Sequence, residues 1–390
     1  MNIKIGKGSL NGRVRIISSK SDAHRALIAA ALGEDELLLF TEGWSEDIEA
    51  TTRCLRALGA DIAKEPSGTM IDPILRDETA DAVLDCGESG STLRFLLPVA
   101  GALGRHTLFE GQGRLPERPI GVLLDEMEKN GCKFSGRSLP LEMEGKLHGG
   151  TYTLPGNISS QFITGLLFAL PILEEDSRIC LTTAVESKGY IDMTLHTLKT
   201  FGITVEETED GYFIPGGQKY EGPRLLVAQG DWSNAAFWLT AGAISGDIAC
   251  QGLDMESPQG DKAIVSLLEQ FGAEKKIVQN EVKLSGGNLK GCRIDASQNP
   301  DLVPILCIAA AAAEGTTEIY NAERLRMKES DRLAAMAECL TKIGVKVEEK
   351  PDGLIITGGV TPPEQPVELS SYGDPRNSHC HDNAVVAVGT

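Results

Sequence analysis

The chain has 390 residues, 41% of them hydrophobic and 24% charged, with a formal net charge of −19. That length exceeds one ordinary core and predicts two or three domains, and the acidic balance argues against nucleic acid as a partner. The longest apolar run, Leu302 to Ala313, is too short to span a bilayer, the residues from Met1 to Gly6 lack a signal peptide's apolar core, and nine scattered cysteines form no CxxC pair, so the composition predicts a reduced cytoplasmic protein.

In chain order, residues 1–17 read as strands with a turn at Asn11-Gly12. The run Ser18-Ser19-Lys20-Ser21-Asp22-Ala23-His24-Arg25 then opens a small apolar helix over Ala26–Leu32. Hydroxyls cap such a helix, its free N–H groups attract anions, and Lys20 and Arg25 add charge suited to phosphate or carboxylate. A strand over Glu36–Phe40 and a helix over Ser45–Leu58 follow, with Asp47 read as a cap. The same pairing of polar cluster and apolar helix recurs: Gly90-Ser91 before Thr92–Leu103, Ser159-Ser160-Gln161 before Phe162–Leu173, Asp231 before Trp232–Ile244, and Asp301 before Leu302–Ala313.

A second series marks the period. Amphipathic helices stop at Gly59, Gly131, Gly202, Gly272 and Gly344, at intervals of 72, 71, 70 and 72 residues. So regular a set of helix-ending glycines predicts repeated units, with a sixth starting near Asp374. Within them, Pro119 reads as the first turn of a helix through Glu128, leaving Arg118 at its positive end, where an anion would fill the gap. Ser187 to Tyr190 opens another helix, and Lys328 and Arg332, four apart, share one helical face with Glu329 beside them.

These motifs together resemble the 5-enolpyruvylshikimate-3-phosphate synthase family of enolpyruvyl transferases. The resemblance rests on Ser-Lys-Ser with the following Arg at 19–25, Ser-Gly-Ser-Thr-Leu-Arg at 89–94 and Pro-Glu-Arg-Pro-Ile at 116–120. It continues through Ile-Ser-Ser-Gln-Phe at 158–162, Ser-Lys-Gly-Tyr-Ile-Asp at 187–192, Gly-Asp at 230–231 and Arg-Met-Lys-Glu-Ser-Asp-Arg at 326–332. It implies an α/β fold of six βαβαββ-type units in two domains, an inside-out α/β barrel whose sixth unit is incomplete here. The implied domains are residues 1–18 with 230–390, and 19–229, with hinge crossings near Lys20 and Asp231.

The resemblance also implies transfer of the enolpyruvyl group from phosphoenolpyruvate to the 5-hydroxyl of shikimate 3-phosphate, with no cofactor or metal and a monomeric chain. By matching position, Ser21, Arg25, Ser159, Ser160, Ser187, Tyr190, Asp301 and Lys328 would hold shikimate 3-phosphate. Lys20, Gly90, Arg118, Gln161, Arg332 and Arg376 would hold phosphoenolpyruvate, with Gly90 packed where the inhibitor glyphosate binds. Asp301 would deprotonate the attacking hydroxyl, and Glu329, helped by Lys20, would move the proton at the methylene carbon.

Glu88 and Arg324 stand where many relatives have asparagine, and Pro375 replaces the histidine of the family's Asp-His-Arg. Residues 377–383, Asn-Ser-His-Cys-His-Asp-Asn, read as an out-of-frame window, because their codons read one base later specify only Ile or Thr, Val or Ala, and Met or Thr. The chain also ends before the family's last strand and helix, so the expectation is residual shikimate 3-phosphate binding, weak or no turnover, and lowered stability, most in the second half. Three alternatives stand beside this reading. A non-catalytic remnant is one; a UDP-N-acetylglucosamine enolpyruvyl transferase is another, although Arg114–Arg118 lacks its cysteine; a metal protein built on His379-Cys380-His381-Asp382 is the third.

Overall fold

The computed structural model of the chain describes residues 10–75, 81–286, 288–328, 330–359, 367–370, 372 and 374. The chain divides into two compact units: Ser18–Ala228 is continuous, and the other takes the residues up to Ile17 and resumes at Gln229.

In the continuous unit the helices are α1 (Lys20–Ala31), α2 (Glu46–Ala57), α3 (Gly90–Leu103), α4 (Gly121–Lys129), α5 (Ser160–Ala169) and α6 (Lys188–Thr200). Ser19, Ser45, Ser89 and Ser159 cap α1, α2, α3 and α5, each side chain accepting a backbone N–H of the first turn. The odd-numbered helices are mostly buried, whereas α2, α4 and α6 keep a polar face. Close packing of the buried set needs glycine: a Cβ on Gly165 of α5 would lie 2.3 Å from the Arg94 carbonyl oxygen of α3.

The second unit repeats the alternation with α7 (Trp232–Ser245) and α9 (Val303–Ala312) apolar, and α8 (Ile264–Gln270) and α10 (Arg332–Lys342) at the surface of its core. Asp231 and Asp331 cap α7 and α10. The five glycines that mark the period all follow the end of an even-numbered helix with φ between 75° and 110°, the left-handed geometry that lets the chain turn sharply into the next strand.

Five four-stranded sheets share one order among the described residues. A leading strand pairs in parallel with the next, which then pairs antiparallel with one arm of a hairpin. Ala82–Asp85, Thr107–Glu110, Leu141–Gly145 and Cys132–Phe134 make one such sheet, with α3 and α4 between its strands in sequence, so the unit reads βαβαββ. Thr151–Leu154 leads another and Arg293–Asp295 a third. The remaining two have exchanged leaders. Asn11–Arg15 pairs with Asp247–Gln251 in the second unit, and Leu225–Val227 pairs with Leu37–Phe40 in the first.

Several boundaries differ from the sequence expectation. Asn11-Gly12 is no turn; both residues open a strand, its ladder extended by Asp247 N donating to Asn11 Oδ1 at 3.2 Å. The helix over Phe162–Leu173 ends at Ala169 and tightens into a 3-10 turn at Leu170–Ile172, because Pro171 lacks the N–H that an α-helix needs. Pro119 lies before α4, not in its first turn: Arg118, preceding a proline, is extended, and the helix starts only at Gly121. No helix among the described residues is long and apolar enough to cross a membrane.

Candidate active site

Lys20 is the first residue of α1, and its Nζ donates to Asp47 Oδ2 at 2.6 Å. Asp47 is therefore not the cap of α2, a task Ser45 performs; it is the partner of Lys20, and both are part-exposed. One turn along α1, Arg25 is almost fully buried. Its Nε donates to Thr194 Oγ1 at 2.9 Å, Nη1 to the Ser21 carbonyl at 2.6 Å and Nη2 to the Tyr190 carbonyl at 2.7 Å, while the guanidinium lies 5.4 Å from the centroid of Phe95. Burial pulls its pKa down to about 10, against the opposing pull of Asp22 and Tyr190, so it stays cationic at neutrality.

The start of α3 is crowded by arginines. A Cβ on Gly90 would fall 2.7 Å from Arg118 Nη1 and 3.4 Å from Arg94 Nη1. Arg94 Nη1 donates to Gln161 Oε1 at 2.7 Å, and Gln161 Nε2 donates to Ser91 Oγ at 2.8 Å, joining α5 to the first turn of α3. Ser159 accepts the Gln161 N–H as N-cap, and Ser160 is buried at the first position of α5. Ser187 precedes α6 in a left-handed conformation, φ 55° and ψ 42°, and its carbonyl accepts the Tyr190 N–H at 3.1 Å. A non-glycine residue held in that region stores strain, which tends to collect at functional sites.

In the second unit, Asp301 lies in a 3-10 turn, Pro300–Leu302, ahead of α9. Arg332 Nη1 donates to Asp301 Oδ1 at 2.8 Å, and Lys328 Nζ lies 3.9 Å from the same oxygen. On its other edge Arg332 Nε donates to Asp374 Oδ2 at 2.8 Å, where Ser330 Oγ also donates at 3.1 Å. Lys328 and Arg332 do not share a helical face: Lys328 is extended, and α10 begins at Arg332 because Asp331 caps it. They meet instead at Asp301. Arg324 donates to the Ser297 carbonyl at 2.9 Å.

Glu329, Arg376, the run 377–383 and the His379–Asp382 group lie outside the described residues. Sequence reasoning missed the roles of Asp47, Arg94, Thr194 and Asp374. Arg94 was findable, since it stands one helical turn after Gly90 on the same face of α3. The partners 27 to 169 positions apart carry no local signal.

The chain is similar to known proteins over nearly its whole length. Residues 5–387 match the family described as EPSP synthase (3-phosphoshikimate 1-carboxyvinyltransferase). The 3-phosphoshikimate 1-carboxyvinyltransferase of Clostridium acetobutylicum is 46% identical over 363 residues, covering 91% of this chain and 84% of that one. The enzyme of the same name from Clostridium novyi is 43% identical over 368 residues, covering 92% and 85%. Among solved structures, EPSP synthase from Acinetobacter baumannii superposes with a TM-score of 0.80 at 25% identity, covering 98% of this chain and 90% of that one. The enolpyruvyl transferase NikO of Streptomyces tendae shares the fold, with a TM-score of 0.76 at 16% identity and coverage of 99% and 90%. Repeated βαβαββ units, a glycine under two arginines and an aspartate gripped by Arg332 are thus found in a chain that belongs to the EPSP synthase family.

Proposed function

We propose that this chain transfers the enolpyruvyl group of phosphoenolpyruvate to the 5-hydroxyl of shikimate 3-phosphate and releases phosphate, by addition followed by elimination. The observation that carries the reading is the anchoring of Asp301 by Arg332 at 2.8 Å, with Lys328 at 3.9 Å, in a chain matched to the family over residues 5–387. A carboxylate gripped on one oxygen keeps a single orientation, which a general base requires. Asp301 accepts the proton of the attacking hydroxyl; Glu329, with Lys20 as helper, moves the proton at the methylene carbon.

Ser21, Arg25, Ser159, Ser160, Ser187, Tyr190 and Lys328 are assigned to shikimate 3-phosphate. Arg25 supports that set from beneath, because it ties the backbone of Ser21 to that of Tyr190. Lys20, Gly90, Arg118, Gln161 and Arg332 are assigned to phosphoenolpyruvate. Gly90 opens α3, so the carboxylate or phosphate of a ligand there would meet first-turn N–H groups and the Arg118 guanidinium together. A cytoplasmic location fits the eight described cysteines, none of which is paired in a disulfide.

The experiment is phosphate release on mixing the chain with both substrates, with the product identified by mass. Release that needs both substrates and is lost in Asp301→Asn, while shikimate 3-phosphate still binds, is the expected result. A chain that binds both and releases nothing overturns the reading.

A further inference from the structure

Between Lys20 and Arg25 on α1 lies His24, a titratable side chain to which the reaction assigns nothing. It is 1% exposed. Its Nδ1 is 2.7 Å from Thr51 Oγ1 of α2, and Thr51 Oγ1 is 2.7 Å from Thr92 Oγ1 of α3. Thr92 in turn donates toward Ser89 Oγ at 2.8 Å and the Asp47 carbonyl at 3.4 Å. One chain of polar groups thus crosses the starts of three helices. Those starts carry Lys20, its partner Asp47, and Gly90 with its capping Ser89.

The chain has a direction. A carbonyl oxygen can only accept, so Thr92 spends its single hydroxyl proton at that end and offers Thr51 a lone pair. Thr51 then donates to Thr92 and takes its own hydrogen bond from His24. The imidazole is left with its proton on Nδ1 and a bare Nε2, and Nε2 has no hydrogen-bond partner among the described residues. An unpaired acceptor is the cheaper orphan, since a buried N–H without an acceptor is seldom tolerated. The ring is held neutral as well: burial drives its pKa to about 3, Asp47 opposing and Lys20 and Arg25 assisting.

We propose that His24 is a positioning residue: through Thr51 and Thr92 it fixes the starts of α1, α2 and α3 against one another, and so presets Lys20, Asp47 and Gly90 for phosphoenolpyruvate. The inference deepens the function proposed above and rests on it. The plainer account is that His24 fills the core edge-on to Phe95, ring centroids 6.4 Å apart. The two accounts part over what can replace it. A core filler tolerates leucine; a donor to Thr51 tolerates asparagine, whose amide N–H reaches about where Nδ1–H did.

The test compares His24→Leu, His24→Asn and Thr51→Val in the full chain, with KM for each substrate and calorimetric binding of phosphoenolpyruvate in the presence of shikimate 3-phosphate. The leucine and valine variants should each weaken phosphoenolpyruvate about tenfold and leave shikimate 3-phosphate within about twofold, with asparagine restoring most of the loss and the leucine–valine pair no worse than either alone. Unchanged phosphoenolpyruvate affinity in Thr51→Val, failure of asparagine to restore, or equal losses for both substrates overturns the role. The tautomer is read without turnover, in nitrogen-15 spectra of the wild-type ring. A proton on Nε2 ends the positioning argument even where phosphate release is normal. A chain with the Nδ1 proton, the expected variant pattern in binding and no phosphate release keeps it and overturns only the proposed reaction.

Discussion

Arg332 donates from Nη1 to Asp301 and from Nε to Asp374, each at 2.8 Å, so one buried guanidinium joins carboxylates 31 and 42 positions away. Its planar fork suits this double grip in a way that an ammonium cannot reproduce. Asp374 is completely buried, and Arg332 is its compensating charge.

Asp301→Asn keeps the shape and the contact distance but removes the basic oxygen. Turnover should fall by about 10²- to 10⁴-fold, the usual range for one general base, with shikimate 3-phosphate affinity changed far less. Steady-state kinetics beside equilibrium binding decides it; parallel losses in both would make Asp301 a binding residue.

Gly90→Ala inserts a methyl group 2.7 Å from Arg118 Nη1. The neighbour is the end of a flexible side chain, so the protein should fold while Arg118 moves aside. Overpacking of this sort costs about 1–3 kcal/mol, which predicts roughly 5- to 150-fold weaker glyphosate inhibition and a raised KM for phosphoenolpyruvate. An unaltered inhibition constant would separate Gly90 from the phosphoenolpyruvate site.

Arg25→Ala strips the hydrogen bonds from two backbone carbonyls and from Thr194. Bonds to a charged donor are each worth about 1.5–3 kcal/mol, so a lower unfolding midpoint should accompany loss of shikimate 3-phosphate binding. Calorimetry of the free and ligand-mixed variant reads both. A variant as stable as the parent would mean that these three contacts carry little.

Acid should destabilise the protein through His24. Its folded pKa, about 3, lies below the ordinary value of 6.5, so between those limits the unfolded chain binds a proton that the native state excludes. Stability then rises with pH across that window and is lost as pH falls, by up to about 1.4 kcal/mol per pH unit from this one group. Denaturant midpoints of the wild type and His24→Asn from pH 7 to pH 4 should converge toward acid. Parallel lines would show that His24 does not titrate in this way.

Much of this protein was legible in its sequence because the signals are local. A serine or aspartate before an apolar run marked α1, α3, α5, α7 and α9, and glycine marked the ends of α2, α4, α6, α8 and α10. What stayed hidden depends on neighbours brought together by tertiary packing. Lys20 was read as a charge for an anionic ligand, and nothing in the sequence pointed to Asp47, read as a cap, as its partner. The Lys328–Arg332 spacing suggested one helical face, yet convergence on Asp301 arises from an extended residue beside a capped helix start. Arg118 is not placed at a helix start as expected: the proline after it set its backbone, and its guanidinium lies beside Gly90.

The exchanged leading strands have a consequence for dissection of the chain. Because Leu225–Val227 completes the sheet of Leu37–Phe40, every ladder among the described residues of Ser18–Ala228 is closed by strands of that same segment. Excised at its two crossings, it should be an autonomous folding fragment. The remainder is not contiguous, since Asp247–Gln251 needs Asn11–Arg15 as its neighbour. Expressed from Gln229 onward, it would present a bare sheet edge, to be filled by a separate peptide carrying that strand or by a second copy of itself. Complementation in trans, with the short strand supplied as the missing piece, is therefore built into the way the chain is threaded.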